Sequence, residues 1–434
     1  MSIVTQLQHE FYDRLMESQY QAPEQRRAAQ IQQLEKLARH ARKHVPFYEE
    51  RLNVLFGTGG EFNFERWRDV PILTRHDLLE QREAMQAREL PAGHGPTFTD
   101  STSGSTGAPI TVTDTMRART VGHAAMLRSH AWHDLDWSQT LLFWYGDNLA
   151  EDYPHYDTGP AWGPPWLAQA TSRTLRLSRF SRPKDILNFI RDKDIEYLST
   201  RPLSAQSLAL EAMERDGHGS PLRAIIGFST GVSDDQRDDC RRGLGARLIS
   251  SYASKEGQNM AFECRAGTHL HVNEEMVLVE ILDDEGEPCA AGQVGRVVVT
   301  VLFNFAQPII RYDHGDLAIP GPRCQCGRTL NVIERVVGRQ MQMFRFPDGT
   351  KISPMTTKSM STALGARYLQ LAQVGPLEIE VRYVPIEGQR RDEHAVTALV
   401  RRVTHPDAHV RFRAQPDLVR TDGGKFIETV CELR

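Results

Sequence analysis

The chain has 434 residues, of which 25% are charged and 40% hydrophobic, with a formal net charge of −4. This charge argues against nucleic acid or an anionic membrane as a partner, and no stretch is long and apolar enough to cross a bilayer. We expect no secretory leader, because the N-terminus lacks an apolar core. Six irregularly spaced cysteines then favour a reducing cytoplasm, where metal binding is more common than disulfides.

The first eighty residues are predicted to be helical. A helical apolar pattern over residues 26–42 stops at Val45, because the residue before a proline leaves the helical region. Thr74 is a suitable N-cap for a further helix over residues 75–82. Residues 97–113 then predict a hairpin or a turn between strands, because apolar and threonine side chains alternate there.

The middle of the chain alternates between strand and helix patterns. Strands are predicted over residues 140–145, 197–199 and 224–228, and helices over 114–134, 183–191, 204–215 and 234–244. Such alternation predicts an α/β fold with a substantial parallel sheet. Residues 270–301 are strand-rich, and a last segment begins at Gly338. We therefore predict a large α/β domain over residues 1–337 and a small, mobile α+β domain over residues 338–434.

A loop of small hydroxyl residues lies within the predicted hairpin. Glycines allow positive φ and close approach to a ligand, and hydroxyl and backbone N–H groups can together cradle phosphates. Ala108 follows the loop where a Walker loop requires lysine, so a flexible connection is the competing interpretation. The loop residues are Ser103, Gly104, Ser105, Thr106 and Gly107.

Two acidic motifs follow. Tyr252 comes after a predicted strand over residues 246–250, where its ring can stack on adenine, and the Glu256 carboxylate can hold Mg²⁺. Asp316 offers a carboxylate, which is the natural bidentate acceptor for a diol. The competing interpretations are a half-buried tyrosine, a solvated glutamate, and an aspartate that caps a turn while Arg311 forms a surface ion pair.

A possible zinc set combines soft thiolates with an imidazole, which suits tetrahedral Zn²⁺. Its members are Cys264, His271, Cys324 and Cys326. The Cys-x-Cys spacing is tighter than the usual two-residue gap, and the two halves lie far apart in sequence. Separate thiols therefore remain an alternative, and His269 is a competing ligand.

In this order the motifs resemble those of acyl-adenylate-forming enzymes, specifically the branch that contains phenylacetate–CoA ligase. Gly338-Arg339 resembles the opening of that family's hinge motif, and Gly424-Lys425 resembles the turn whose lysine completes the adenylation site. Several members of the branch also have a Cys-x₆-His pattern upstream of Cys-x-Cys-Gly-Arg. The chain departs from the family pattern at Ala108, Ala253, Lys255, Asp313, His314 and Met341.

The resemblance implies ATP-dependent activation of a carboxylic acid to acyl-AMP, followed by transfer to CoA and release of AMP. The Ser103 to Gly107 loop, Tyr252 and Asp316 would bind ATP. Glu256 would hold Mg²⁺, and it would act in catalysis together with Lys425 and Arg339. The family's acyl pocket matches residues 147–166, whose aromatic content favours an aryl or other compact apolar acid; the alternative is a surface excursion whose aromatics pack against the core.

Three rival functions remain open. The acyl-adenylate can pass to a carrier-protein thiol or to an amine, which would make the chain an amide ligase. A phosphotransferase would use the same loop and release ADP. A catalytically inactive, zinc-stabilised binding protein is the third. The acid and the oligomeric state, including a homodimer, are not determined by the sequence.

Overall fold

The chain adopts the predicted α/β fold, with a large mixed sheet and a smaller sheet. In the computed structural model it divides into a large unit (Met1–Asp100, Thr111–His314 and Ala318–Val336) and a small unit (Ser101–Ile110, Gly315–Leu317 and Val337–Arg434). The structure describes residues 2–101, 110–146, 155–167, 173–178, 181–215, 220–339, 343–352, 354, 356, 358–416, 418 and 429–433.

The helices of the large unit begin and end close to the predicted positions. They are α1 (Ile3–Ser18), α2 (Pro23–His44), α3 (Arg75–Glu80), α4 (Met116–Ala131), α5 (Pro183–Asp192), α6 (Pro202–Glu214) and α7 (Asp234–Leu244). α2 is followed by Val45 in an extended conformation. At the start of α3, the Thr74 hydroxyl accepts the Asp77 N–H and the Asp77 carboxylate accepts the Thr74 N–H, which completes a capping box.

The strands that lie wholly or mostly in the large unit form two sheets. β1 (Thr97–Ser101) and β2 (Thr111–Thr115) make a two-stranded sheet, as the predicted hairpin requires. The other strands are β3 (Leu141–Gly146), β4 (Asp157–Gly159), β5 (Thr174–Ser178), β6 (Tyr197–Thr200), β7 (Ala224–Gly227), β8 (Arg247–Ser254), β9 (Gln258–Glu263), β10 (Leu270–Val272), β11 (Val277–Leu282), β12 (Gly295–Val301), β13 (Tyr312–Pro320) and β14 (Val332–Arg339).

These strands form one 12-stranded sheet with the order β11-β12-β13-β14-β10-β9-β8-β7-β6-β3-β5-β4. β5, β3, β6, β7 and β8 are parallel to their neighbours within this block, and β9 is antiparallel to β8. The carboxyl ends of parallel strands meet at one edge of a sheet, where α/β proteins bind ligands. The candidate site should therefore lie where β7 and β8 end.

The parallel strands are buried on both faces, which accounts for their nearly continuous apolar runs. One face, which includes Leu198 and Ile225, packs against apolar side chains of α5, α6 and α7. The alternate residues, which include Tyr197 and Ala224, pack against Trp132 and Trp162. Among the described residues, no helix combines the length and hydropathy needed to cross a membrane.

The small unit has its own sheet and core. Its elements are β15 (Phe344–Arg345), β16 (Lys351–Ile352), α8 (Lys358–Leu364), β17 (Ala366–Gln373), β18 (Glu378–Pro385), α9 (Glu393–Val403), β19 (His409–Ala414) and β20 (Thr429–Cys431). The sheet order is β19-β18-β17-β20. Leu371 and Val381 of the sheet and Val396 and Val400 of α9 are fully buried in one cluster, so this unit buries a separate apolar core.

Candidate functional site

The Tyr252 to Glu256 motif lies at the carboxyl end of the parallel block. The predicted strand was too short, because β8 continues through Tyr252 to Ser254 and pairs with β9. Glu256 lies in the turn between the two strands, and the interpretation of a solvated glutamate was wrong because its side chain is buried. Tyr252 is also buried. The motif thus belongs to a fixed hairpin rather than to a loose strand end.

A polar chain of contacts joins this hairpin to β13. The Tyr252 Oη lies 3.3 Å from His314 Nδ1, and His314 Nε2 lies 2.8 Å from Ser254 Oγ. Ser254 Oγ in turn accepts the Gly257 N–H at 2.7 Å. In the sequence His314 is only a departure from the family motif, because its partners are about sixty residues away in the chain.

Asp316 lies in β13, not in a turn, and its side chain is buried. The interpretation of Arg311 as a member of a surface ion pair was also wrong. Its buried guanidinium donates to the Arg68 and Val70 carbonyls at 2.7 and 2.8 Å, and it pairs with Glu280 at 3.3 Å. Arg311 therefore ties the chain that precedes α3 to the start of β13, and its role is structural.

Charged side chains surround the end of β1. Lys255 Nζ lies 3.4 Å from Asp100 Oδ1, and Arg119 binds both Asp100 and Asp114, at 2.5 and 2.7 Å. Burial raises the pKa of Asp114 above its usual value, although Arg119 opposes this. Lys255 and Asp100 are both about half exposed, so their ion pair contributes little stability. The cluster brings two cations to the strand that leads into the predicted phosphate loop.

Several predicted site residues lie outside the described residues. The backbone of Arg339 is described as the last residue of β14, but its side chain is not. Met341 and residues 147–154 also lie outside, so the hinge and part of the predicted acyl stretch stay predictions. The remaining residues in this group are Ser103, Gly104, Ser105, Thr106, Gly107 and Lys425.

The predicted zinc ligands come together at one corner of the large unit. Cys264 follows β9, His271 lies in β10, and Cys324 and Cys326 lie between β13 and β14. Their ligand atoms all lie within 4.8 Å of one another. The competing ligand His269 is not part of this group, although its ring packs edge-on against His271 with centroids 5.3 Å apart.

The spacing of these atoms fits a tetrahedral metal. The Sγ atoms of Cys264 and Cys324 lie 3.7 Å apart, and Cys326 Sγ lies 3.3 Å from His271 Nε2. Zn–S bonds of about 2.3 Å in a tetrahedron hold two sulfurs about 3.8 Å apart, whereas a disulfide requires about 2.05 Å. Burial lowers the pKa of His271 to about 4, which keeps the imidazole in the neutral form that binds metals.

The backbone around the cluster is held from both sides. The Ala266 N–H donates to Cys264 Sγ at 3.4 Å, and the Cys326 N–H donates to Cys324 Sγ at 3.3 Å. The Thr329 N–H donates to the carbonyl of Gln19, which follows α1, at 2.9 Å. The loop that carries Cys324 and Cys326 is thus held by the end of α1 as well as by the sheet.

The described aromatics of the predicted acyl stretch pack into the scaffold. Trp162 is buried and donates to the Gln139 carbonyl at 2.9 Å, which places it at the amino ends of the parallel strands. Trp166 stacks on His9 of α1 at 4.6 Å, and Tyr156 packs edge-on against Phe189 of α5 at 5.2 Å. These three rings favour the alternative of a surface excursion held by its aromatics.

Comparisons with known proteins agree with the motif resemblance, although no protein-family model matches the chain. A phenylacetate–coenzyme A ligase of Thermus thermophilus is 28% identical over 356 residues, covering 79% of this chain and 76% of that protein. A 2-hydroxyisobutyryl-CoA ligase in the postadenylation state has a TM-score of 0.72 at 17% identity, covering 95% and 90% of the two chains. The amide bond synthetase McbA from Marinactinospora thermotolerans has a TM-score of 0.55 at 17% identity, covering 78% and 69%. The resemblance to acyl-adenylate-forming enzymes and to their phenylacetate–CoA ligase branch is confirmed.

Proposed function

We propose that this chain, which is similar to the phenylacetate–CoA ligase branch of the acyl-adenylate-forming enzymes, activates a carboxylic acid with MgATP and transfers the acyl group to CoA. In the first step a carboxylate oxygen attacks the α-phosphorus, pyrophosphate leaves, and acyl-AMP forms. In the second step a thiolate attacks the acyl carbon, a thioester forms, and AMP leaves. One geometric observation supports this most: the hairpin that carries Tyr252 and Glu256 lies at the ligand-binding edge of the parallel sheet.

The chain's contribution to the first step is positioning and charge stabilisation. Tyr252 would contact adenine and Asp316 the ribose hydroxyls, while the buried Glu256 carboxylate would bind Mg²⁺ through its oxygens. The 103–107 loop would hold phosphates and Lys425 the developing negative charge, with Arg339 at the hinge. These roles are carried over from the motifs.

We assign a structural Zn²⁺ to Cys264, His271, Cys324 and Cys326. The distances between their ligand atoms support this assignment. Bound zinc ties distant segments of a chain together without taking part in catalysis when all four ligands come from the protein. Here the four residues would join the β9–β10 hairpin to the segment after β13, and so stabilise the end of the strand that contains Asp316. Unpaired thiols suit a reducing compartment, so a cytoplasmic location is part of this proposal.

An aryl or compact apolar acid remains our preferred substrate. Its support is the named specificity of the Thermus relative, because the described aromatics of residues 155–167 are used in packing. A second observation points the same way: Phe143 and Phe228 stack with centroids 5.7 Å apart and planes within 8°. Both rings are half-buried, and Phe228 directly follows β7, so they offer an apolar surface near the carboxyl edge.

Transfer to an amine is the second candidate function. The amide bond synthetase among the structural neighbours shares the fold at a lower TM-score, and it shows that the fold also serves amide formation in that protein. A carrier-protein thiol is a third acceptor. Release of AMP that depends on CoA supports the ligase, whereas release that depends on an amine supports the alternative.

Pyrophosphate exchange into ATP across a panel of carboxylic acids tests the adenylation step without knowledge of the acceptor. We expect exchange with aryl acids and little with long-chain fatty acids. Exchange with fatty acids alone would overturn the substrate class. Release of ADP instead of AMP, without exchange, would identify a phosphotransferase. A folded, zinc-containing protein that neither binds ATP nor exchanges with any acid would support the inactive binding protein.

A further inference from the structure

We propose that His314 is a positioning residue that holds the Glu256 turn against β13. This inference rests on the adenylating function proposed above, and it assigns a role to a side chain that is absent from the predicted site. His314 does not contact substrate in this proposal. It acts on the Glu256 turn through Ser254, and this effect should be read in the binding of Mg²⁺.

The hydrogen bonds form a chain with a consistent direction. The Gly257 N–H donates to Ser254 Oγ at 2.7 Å, which leaves the hydroxyl proton free to point at His314 Nε2, 2.8 Å away. Nδ1 then carries the ring proton and donates to Tyr252 Oη at 3.3 Å. A single imidazole therefore satisfies both neighbours, and its two nitrogens have different partners.

Ring contacts hold the imidazole in this orientation. The Tyr252 ring lies edge-on at 5.8 Å between centroids with planes at 80°, and the Tyr312 ring lies at 6.1 Å and 78°. Such edge-to-face arrangements are the favoured geometry for aromatic pairs. His314 is also only 4% exposed. The ring is fixed from two sides, so it can serve as a rigid support for Ser254.

The turn has little freedom of its own. A Cβ at Gly257 would lie 2.6 Å from Met260 Sδ, so the backbone there approaches the β9 side chains closely. Glu256 lies between Ser254 and Gly257, and the hydrogen bond between these two residues closes the turn around it. Loss of the His314 support would release Ser254 and shift the Glu256 carboxylate.

The expected loss of Mg²⁺ affinity can be estimated from the behaviour of other metal sites. Removing a side chain that orients a metal ligand typically costs about 10- to 100-fold in metal affinity or activity. We therefore expect His314→Ala and Ser254→Ala each to raise the Mg²⁺ concentration for half-maximal ATP binding by about 10- to 100-fold. Binding of AMP without Mg²⁺ should be unchanged in Ser254→Ala, because Ser254 supports the Glu256 turn and Glu256 has no part in AMP binding.

Two near-isosteric variants distinguish the roles of the two ring nitrogens of His314. In His314→Gln the side-chain amide reaches the position of Nε2 and can keep the contact with Ser254. In His314→Asn it reaches only the position of Nδ1 and can keep the contact with Tyr252. We expect the glutamine variant to recover Mg²⁺ affinity and the asparagine variant to resemble alanine. His40→Ala is the matched control, because His40 is also buried and hydrogen-bonded, with Nε2 3.0 Å from the Phe305 carbonyl.

The test measures Mg²⁺ titrations of ATP binding by calorimetry, together with pyrophosphate exchange at saturating Mg²⁺. If His314 acts through Ser254, the double variant His314→Ala/Ser254→Ala should lose no more Mg²⁺ affinity than either single variant. Additive losses, an unchanged Mg²⁺ requirement, or equal losses of AMP and MgATP binding in Ser254→Ala would each overturn the proposal. Wild-type protein that binds MgATP but exchanges with no acid would instead contradict the proposed function. The calorimetric comparison would still decide the role of His314.

Discussion

Two polar regions of the large unit are assembled differently. At the Cys/His corner (Cys264, His271, Cys324 and Cys326), four ligand atoms converge within 4.8 Å of one another. At the carboxyl edge, Tyr252, His314 and Ser254 form a line of pairwise contacts of 3.3 and 2.8 Å. Converging donors are suited to bind one ion, whereas a line of donors is suited to orient neighbouring groups. From this difference we expect a structural role for the corner and a positioning role for the carboxyl edge.

The largest effect should follow from disrupting the Cys/His corner. We expect Cys324→Ala to abolish zinc binding and to lower the free energy of unfolding by about 4 kcal/mol, the contribution of a metal present at a thousand times its dissociation constant. Denaturant unfolding with metal analysis measures both quantities. Cys289→Ala is the control, since Cys289 is a half-buried thiol outside the cluster. A metal-free preparation with unchanged stability and full activity would contradict the zinc assignment.

Lys425→Ala tests the proposed adenylation chemistry. Loss of one preorganised donor costs about 10²–10³ in rate, or about 3–4 kcal/mol, and we expect that loss in pyrophosphate exchange. Acyl transfer from supplied acyl-adenylate should proceed at a nearly normal rate, provided that Lys425 serves the first half-reaction alone. Equal loss of both half-reactions would point to a role in folding or docking, and full exchange would remove Lys425 from the mechanism.

Asp316→Asn should weaken ATP binding without affecting the zinc content of the Cys/His corner. A hydrogen bond to a charged group contributes about 1.5–3 kcal/mol, so the KM for ATP should rise by about 10- to 100-fold at an unchanged zinc content. Steady-state exchange kinetics measure the KM for ATP, and metal analysis measures the zinc content. An unchanged KM for ATP in the variant would contradict the assignment of Asp316 to the ribose, and a parallel loss of zinc would indicate a structural role instead.

The smallest effect concerns how the folding stability changes in acid through His130. Burial, with smaller contributions from neighbouring histidines, lowers the pKa of His130 to about 3, and its ring packs against Phe262 of β9. The unfolded state takes up a proton below about pH 6.5 that the folded state cannot, so stability present above that pH is lost as the pH falls towards 3.

His130→Phe should therefore retain about 1.4 kcal/mol more stability than the wild type on going from pH 7.5 to pH 5.5. Urea unfolding at the two pH values measures this difference. The control is His76→Phe, at an exposed position of α3, which should lose as much stability as the wild type. Equal acid sensitivity in the wild type and His130→Phe would contradict this role of His130.

The sequence predicted local structure well because local structure depends on neighbouring residues. The Thr74 capping box, the end of α2 before Pro46 and the helix α7 each follow from side chains a few positions apart. The grouping of Cys264, His271, Cys324 and Cys326 was also predictable, because thiols and imidazoles are rare enough to be grouped by chemistry alone; the zinc ion stays a prediction. The length of β8 was not predictable from the sequence, since its last residues form a strand only because β9 pairs with them.

By itself, the sequence determined the element order, the α/β class and the family resemblance. Only the tertiary structure decided what those residues contact. It buried Arg311 beneath the segment before α3, moved Trp162 to the amino ends of the parallel strands, and joined His314 to Tyr252 and Ser254. Each of these contacts spans from about twenty to about 240 positions of the chain. Periodicity and propensity act over a few residues, whereas such contacts are set by how the sheet brings distant strands together.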